Sequence, residues 1–360
     1  MVRILRGLAH KYFSDDEAVI LFLILVAGTL FVVLFGAMLA PAIAALIVAF
    51  ILQGLVTKLV KLGVPETPAI YGVFLVFLGV LFAFLFGLLP LVWTQVTRLA
   101  GETPRIIREF QSYLELLPQQ YPQLVSKEAV DTLYSQLSTE VGNMTQWLVS
   151  FSLSSIPDLV ALLIYLVLVP IMVFFFLKDK SVLLGSIARL LPPQRPLMVK
   201  IWHEVNMQCA NYVRGKALEI LIVGGATYIG FKVMGMPYAA LLSLLVGLSV
   251  VIPYIGAAVV TIPVVVIGLF AFGWGPQFIW IMVVYGIIQG LDGNVLVPLL
   301  FSEVNNLHPV AIIVAVLFFG GIWGLWGVFF AIPLATLLKA VFWAWPVKGM
   351  APPVSDARIG

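Results

Sequence analysis

Residues 236–270 read MPYAALLSLLVGLSVVIPYIGAAVVTIPVVVIGLF. The stretch has no charged residue. Two full bilayer crossings need about 40 residues plus a turn and one needs about 20, so it is too short for two crossings and too long for one. Pro237 stands near its start, Pro253 and Gly256 interrupt its middle, and an Ile-Pro pair closes it at 262–263. The same grammar returns at 308–341, HPVAIIVAVLFFGGIWGLWGVFFAIPLATLLKAV, with breakers at Gly320, Gly321, Gly324 and Gly327 and a late Ile-Pro at 332–333. Each stretch reads as a helical hairpin that enters a bilayer and returns to the same side. The tips are expected at Pro253, Tyr254 and Gly256 in the first hairpin and at Gly320, Gly321 and Gly324 in the second. One full span, about 276–300, lies between them, so the hairpins enter from opposite faces. Inverted-repeat carriers place their sites at the midplane between such broken segments. The competing reading is two tight pairs of ordinary helices with Gly and Pro at the turns.

The rest of the chain supports a membrane setting. Of 360 residues, 62% are hydrophobic and 10% charged, and the mean hydropathy is +1.11. A soluble core of this length needs less apolar residue and more surface charge. The apolar runs are long and continuous, not the short alternating segments of a β-barrel. The expected class is therefore an all-α polytopic membrane protein. Its net charge is only +3, spread over loops, which argues against nucleic-acid binding. The lone Cys209 rules out an internal disulfide.

Outward from the hairpins, spans are expected at about 18–38, 41–60, 69–93, 157–177 and 217–234. The domain plan has N-terminal spans over 1–94, a polar helical subdomain over 95–155 and a further span over 156–177. A basic amphipathic segment over 178–216, a C-terminal core over 217–345 and a tail over 346–360 complete it. The subdomain has an apolar stripe at helical spacing: Leu99, Ile106, Phe110, Leu114 and Leu117. A second stripe (Ile201, Val205, Cys209, Tyr212) suggests a helix lying on the basic membrane face, the alternative being a solvated connector. With the N-terminus inside, the cytoplasmic side collects fifteen of the twenty Lys and Arg residues, counting Lys339 with the C-terminal end. The positive-inside rule then puts both termini in the cytoplasm and 95–155 outside. The N-terminal run continues into membrane and reads as a first span, not a cleaved signal.

Residues 287–300, IIQGLDGNVLVPLL, hold a carboxylate inside an apolar span. An Asp at a helix centre costs about 2.5–3.5 kcal/mol on insertion scales, so it should face protein or water. Gln289 and Asp292 share a helix face. Asn294 points elsewhere on a regular helix, although Gly290 and Gly293 weaken the helix enough for unwinding to bring all three together. The functional reading is a hydrophilic patch for a small polar solute or ion, and the structural one is a hydrogen-bonded knot. Glu219, near Arg214 and Lys216, is expected to snorkel to the cytoplasmic interface. Gly286 and Gly290 form a small-xxx-small pair that permits close helix contact. His308-Pro309 reads as a hairpin start. There is no Walker A loop, HExxH, Cys cluster or G-x-S-x-G, and no nucleophile with its base. No catalytic residue, metal site or cofactor is expected, and any driving force must come from a gradient or a partner.

Five longer motifs carry a resemblance. YLVLVPIMVFFFLKDK (165–180), NYVRGKALEILIVGG (211–225), VIPYIGAAVVTIPVV (251–265), QGLDGNVLVPLLFSEVNNLHP (289–309) and FFGGIWGLWGVFFAIPLATLLKA (318–340) resemble the autoinducer-2 exporter family, and within it the PerM-type permeases. The match runs from FSDDEA (13–18) to the tail. The resemblance implies a bacterial inner-membrane permease, export of an autoinducer-2-like signal and a homo-oligomer, a ring of five. Two alternatives stand beside it. One is a sodium/proton antiporter with Asp292 as the titrating group. The other is a scaffold that recruits envelope proteins through 95–155. The expected partners are the lipid bilayer, a small polar solute or ion, copies of the chain and, on the last reading, an envelope protein.

Overall fold

The structure, a computed structural model, describes residues 16–120, 128, 132, 135, 136, 139, 156–253, 255–301 and 307–344. Among these every regular element is helical. Six stretches are long and apolar enough to cross a bilayer: 16–36, 38–61, 66–106, 255–272, 276–301 and 325–343. A seventh is added if the pair 162–178 and 180–189, bent by 76°, counts as one. Large apolar side chains lie bare on the outside, as at Met38 and Phe86, 78% and 76% exposed. Lipid solvates such a surface where water would not.

Helix α1, Asp16–Lys61, carries Pro41 inside it. The expected spans 18–38 and 41–60 are its two arms, and the angle between them follows from packing. Glu17 Oε1 accepts the Met198 N–H at 2.7 Å, and Gly54 lies against the Arg214 side chain. Residues 198 and 214 are about 24 Å apart along their helix, whereas a straight α1 would separate Glu17 from Gly54 by about 55 Å. α1 therefore bends sharply between these contacts. Pro41 removes one helical hydrogen bond and crowds the preceding turn, which makes its neighbourhood the natural corner. The second arm buries Ala45, Ala49, Leu52 and Val56 against α2 (Glu66–Ala83) and α4 (Ile156–Lys178).

α2 passes through a π-helical turn, Phe84–Leu88, into α3, Leu89–Gln120. The span expected at 69–93 and the start of the polar subdomain are thus one continuous helical rod. Leu99 packs on the core. The side chains of Phe110, Leu114 and Leu117 and most of the subdomain beyond 120 lie outside the described residues. The basic segment is two helices, α5 (Lys180–Arg189) and the first half of α6 (Pro196–Val233). The expected membrane-lying stripe is covered by protein instead. Ile201 and Val205 pack with Leu21, Met198 and Val341, and Tyr212 is buried beside Phe301 and Phe329. α5, with Val182 and Ile187 exposed, is the element that presents an apolar face. The span expected at 217–234 is the second half of α6.

The two expected hairpins are present as helix pairs. The first joins α7 (Ala239–Ser249) to α8 (Ile255–Phe272). Its two ends lie together: Met236 and Phe278 both contact Gly268, and Gln277 donates to the Met234 carbonyl. The second joins α11 (Pro309–Trp323) to α12 (Leu325–Ala344) through Gly324, at φ 58°. Between them run α9 (Pro276–Leu291), a π turn (Asp292–Leu296) and α10 (Val297–Phe301). The start of this rod lies with the ends of the first hairpin, and Phe301 at its end packs with Ile312 of the second. The hairpins therefore open toward opposite ends of the bundle.

Both breaks are sealed by a glycine. A Cβ on Gly256 would lie 1.8 Å from the Ser249 carbonyl oxygen, and one on Gly327 would lie 1.8 Å from that of Phe319. A glycine follows each break for the same steric reason. The expected tip residues divide accordingly. Pro253 lies in the first break and Gly256 in the first turn of α8. Gly320 and Gly321 belong to the last turns of α11, and Gly324 is the break itself. Tyr254 lies outside the described residues.

Candidate functional site

α7 is held on α6 by small residues. Gly247 and Gly224 pack backbone to backbone: a Cβ on Gly247 would lie 3.0 Å from the Gly224 Cα and 3.0 Å from the Ile220 carbonyl oxygen. Close approach of this kind is the usual role of small residues between membrane helices. Gly286 and Gly290, the expected contact pair, have open space beside them. Within the chain the close approach is made by Gly224 and Gly247 and not by this pair.

That crossing brings the end of α7 to Lys216. The Lys216 ammonium donates to the Val250 carbonyl at 2.8 Å, lies 2.7 Å from Glu219 Oε2 and stands over the Phe301 ring at 5.1 Å. Gly215 makes room for that ring, since a Cβ there would sit 2.6 Å from it. The side chains of Lys216 and Glu219 are 6% and 2% exposed. Glu219, expected to snorkel to the interface beside Lys216, is buried instead. The two form a buried pair, and burial is tolerated because each charge has its partner in place. Arg214, two residues before Lys216, faces the other way, against Gly54 of α1.

Beside this pair lies a cavity of about 380 Å³. Its walls are Tyr212, Lys216 and Glu219 of α6, Val250, Ile252, Pro253 and Ala257 of the first hairpin, and Gln289, Asp292, Gly293, Val297 and Phe301 of the middle rod. Ile312 and Ile332 of the second hairpin complete it. The π turn makes this lining possible. On a regular α-helix Phe301 would lie about 120° around from Gln289; one extra residue in the turn reduces that to about 20°.

Gln289 and Asp292 both lie on the face of the rod that lines the cavity. Gln289 donates to the Tyr285 hydroxyl at 2.9 Å, and that hydroxyl pairs with Thr261 Oγ1 at 2.9 Å. Asp292 Oδ1 is buried and has no hydrogen-bond partner among the described residues. Asn294 does not join them: its amide donates to the Gly290 carbonyl and its side chain is exposed. The glycines produce a π turn, not an unwound loop, and a π turn keeps Asn294 outside. Tyr212 was read only as the end of an apolar stripe, and Tyr285 and Thr261 were not singled out from the sequence. Tyr285, Gln289 and Asp292 do follow one another at i, i+4 and i+7, which was a readable signal. At the second hairpin His308 caps α11 by accepting the Val310 N–H, as its place before Pro309 suggested.

The sequence that builds these helices has relatives among known proteins. The pattern that describes the AI-2E family transporters matches residues 20–346. "Putative permease PerM" of Escherichia coli (strain K12) is 46% identical over 346 residues, covering 96% of this chain and 98% of its own. "Putative transport protein YueF" of Bacillus subtilis (strain 168) is 29% identical over 318 residues, covering 87% and 85%. A match over this much of the sequence, on these helices, means that the chain is a multi-pass membrane transport protein belonging to the AI-2E transporter family.

Proposed function

We propose that the chain is a permease of the inner membrane that moves a small hydrophilic solute through the cavity between its hairpins. The observation that carries this reading is the unpartnered Asp292 oxygen in that cavity, with Gln289 on the same face. A buried carboxylate oxygen without a donor is costly, and a solute with hydroxyl or ammonium groups would supply the donor. At about 380 Å³ the cavity suits a compact ligand. An autoinducer-2-like signal, which the family name implies, is of that kind. Both hairpins are re-entrant on this reading, and both termini are cytoplasmic.

The test is flux in proteoliposomes against a panel of small polyols, amines and the autoinducer-2 signal, with wild type and Asp292→Asn side by side. Wild type should transport at least one hydrophilic solute. Asp292→Asn should assemble normally and lose about tenfold or more of that flux, about the worth of one charge-assisted hydrogen bond. If Asp292→Asn leaves transport intact and lowers thermal stability, the carboxylate is a structural knot.

A further inference from the structure

We infer that the Lys216 ammonium is a tethered cation seated in a monovalent-cation site, so that this protein fills with its own side chain a position that would otherwise bind sodium or potassium. The surroundings are those of a cation and not merely of an ion pair. The Val250 carbonyl stands at the C-terminal end of α7, where helical carbonyls lack partners and the helix dipole is negative. Glu219 Oε2 supplies a full negative charge at 2.7 Å, and the Phe301 ring offers its negative face. Two further buried oxygens belong to residues lining the same cavity and have no partner among the described residues, Tyr212 Oη and Asp292 Oδ1. A carboxylate, a helix-end carbonyl and a hydroxyl are hard oxygen donors, the set that an alkali cation takes. The ammonium is held at the end of a long stem from α6, yet its contacts come from three separate elements: the first hairpin break, α6 itself and α10. Removing the stem would leave the oxygens in place and the charge missing.

The inference does not depend on transport through the cavity, because its readout is binding. Purified wild type, Lys216→Ala and Lys216→Ala/Glu219→Gln are compared by thermal unfolding in detergent, titrating sodium chloride against N-methylglucamine chloride at constant ionic strength. Equilibrium binding of radioactive sodium is measured on the same samples. Wild type should show neither a saturable shift nor bound sodium at this site. Lys216→Ala should unfold earlier in N-methylglucamine, show a saturable Tm rise of about 3 °C or more with sodium or potassium, and bind sodium. Adding Glu219→Gln should abolish both signals. All proteins are prepared in sodium, and Lys216→Ser leaves a similar vacancy with a hydroxyl. A cation able to replace the ammonium should let at least one of the two variants assemble. Absence of a saturable effect in Lys216→Ala, an equal effect in wild type, persistence of the effect without Glu219, or failure of both variants to assemble in sodium would each overturn the inference.

Discussion

At the scale of single residues, the energetics turn on Lys216 and Glu219. Breaking a buried pair by removing one member leaves the other charged and alone, at a cost of about 3–5 kcal/mol, whereas replacing both with apolar residues of similar volume is often neutral. Glu219→Gln should therefore lower the unfolding temperature strongly, and Lys216→Met/Glu219→Leu should recover most of the loss. Thermal unfolding in detergent without added sodium checks this; a double variant no better than the single would mean that the pair itself stabilises the fold beyond what apolar packing can replace. Cys209 offers a second test at this scale. It lies in the part of α6 outside the membrane-spanning half, and burial pushes its thiol from the usual value near 9 up to about 11. Thiolate is the reacting form, so maleimide labelling at pH 7.5 should run about a hundredfold slower than for a free cysteine and rise about tenfold per pH unit to about pH 10. Labelling at the free-cysteine rate, levelling off near pH 9, would show that the thiol is not buried.

At the scale of elements, the two hairpins were legible in the sequence because Pro and Gly interrupt otherwise apolar runs, and those interruptions have a steric cause. Gly256 and Gly327 each face a carbonyl that no Cβ could approach. Gly256→Ala and Gly327→Ala should each cost about 1–3 kcal/mol, as overpacking does, while Gly286→Ala, with nothing nearby, should change stability little. Equal tolerance of all three would contradict the sealed breaks. The site was only half legible. Gln289 and Asp292 could be paired by helix period, but Glu219 looked peripheral. Its partner Lys216 is on its own helix, but Lys216 is held in turn by Val250 on another, and that contact depends on a crossing at Gly224 and Gly247 that spacing does not specify. Asn294 was open for a related reason: glycines announce a weak helix, yet not whether it unwinds or takes up one extra residue.

At the scale of the molecule, charge asymmetry is what the sequence offers on orientation. Reporters fused at 190 and 355 should read as cytoplasmic and one at 130 as external. A cytoplasmic result at 130 would invert the whole arrangement. The central claim is that solute passes through the cavity beneath the first hairpin break, and a cysteine placed on its wall tests it most directly. Ala257 lines the cavity, so Ala257→Cys on a Cys209→Ser background can be modified with a small hydrophilic thiol reagent in proteoliposomes while solute flux is followed. The account predicts that modification of Ala257→Cys stops flux, that the transported solute protects the cysteine, and that Cys209→Ser alone is unaffected. Full modification with undiminished flux would contradict it.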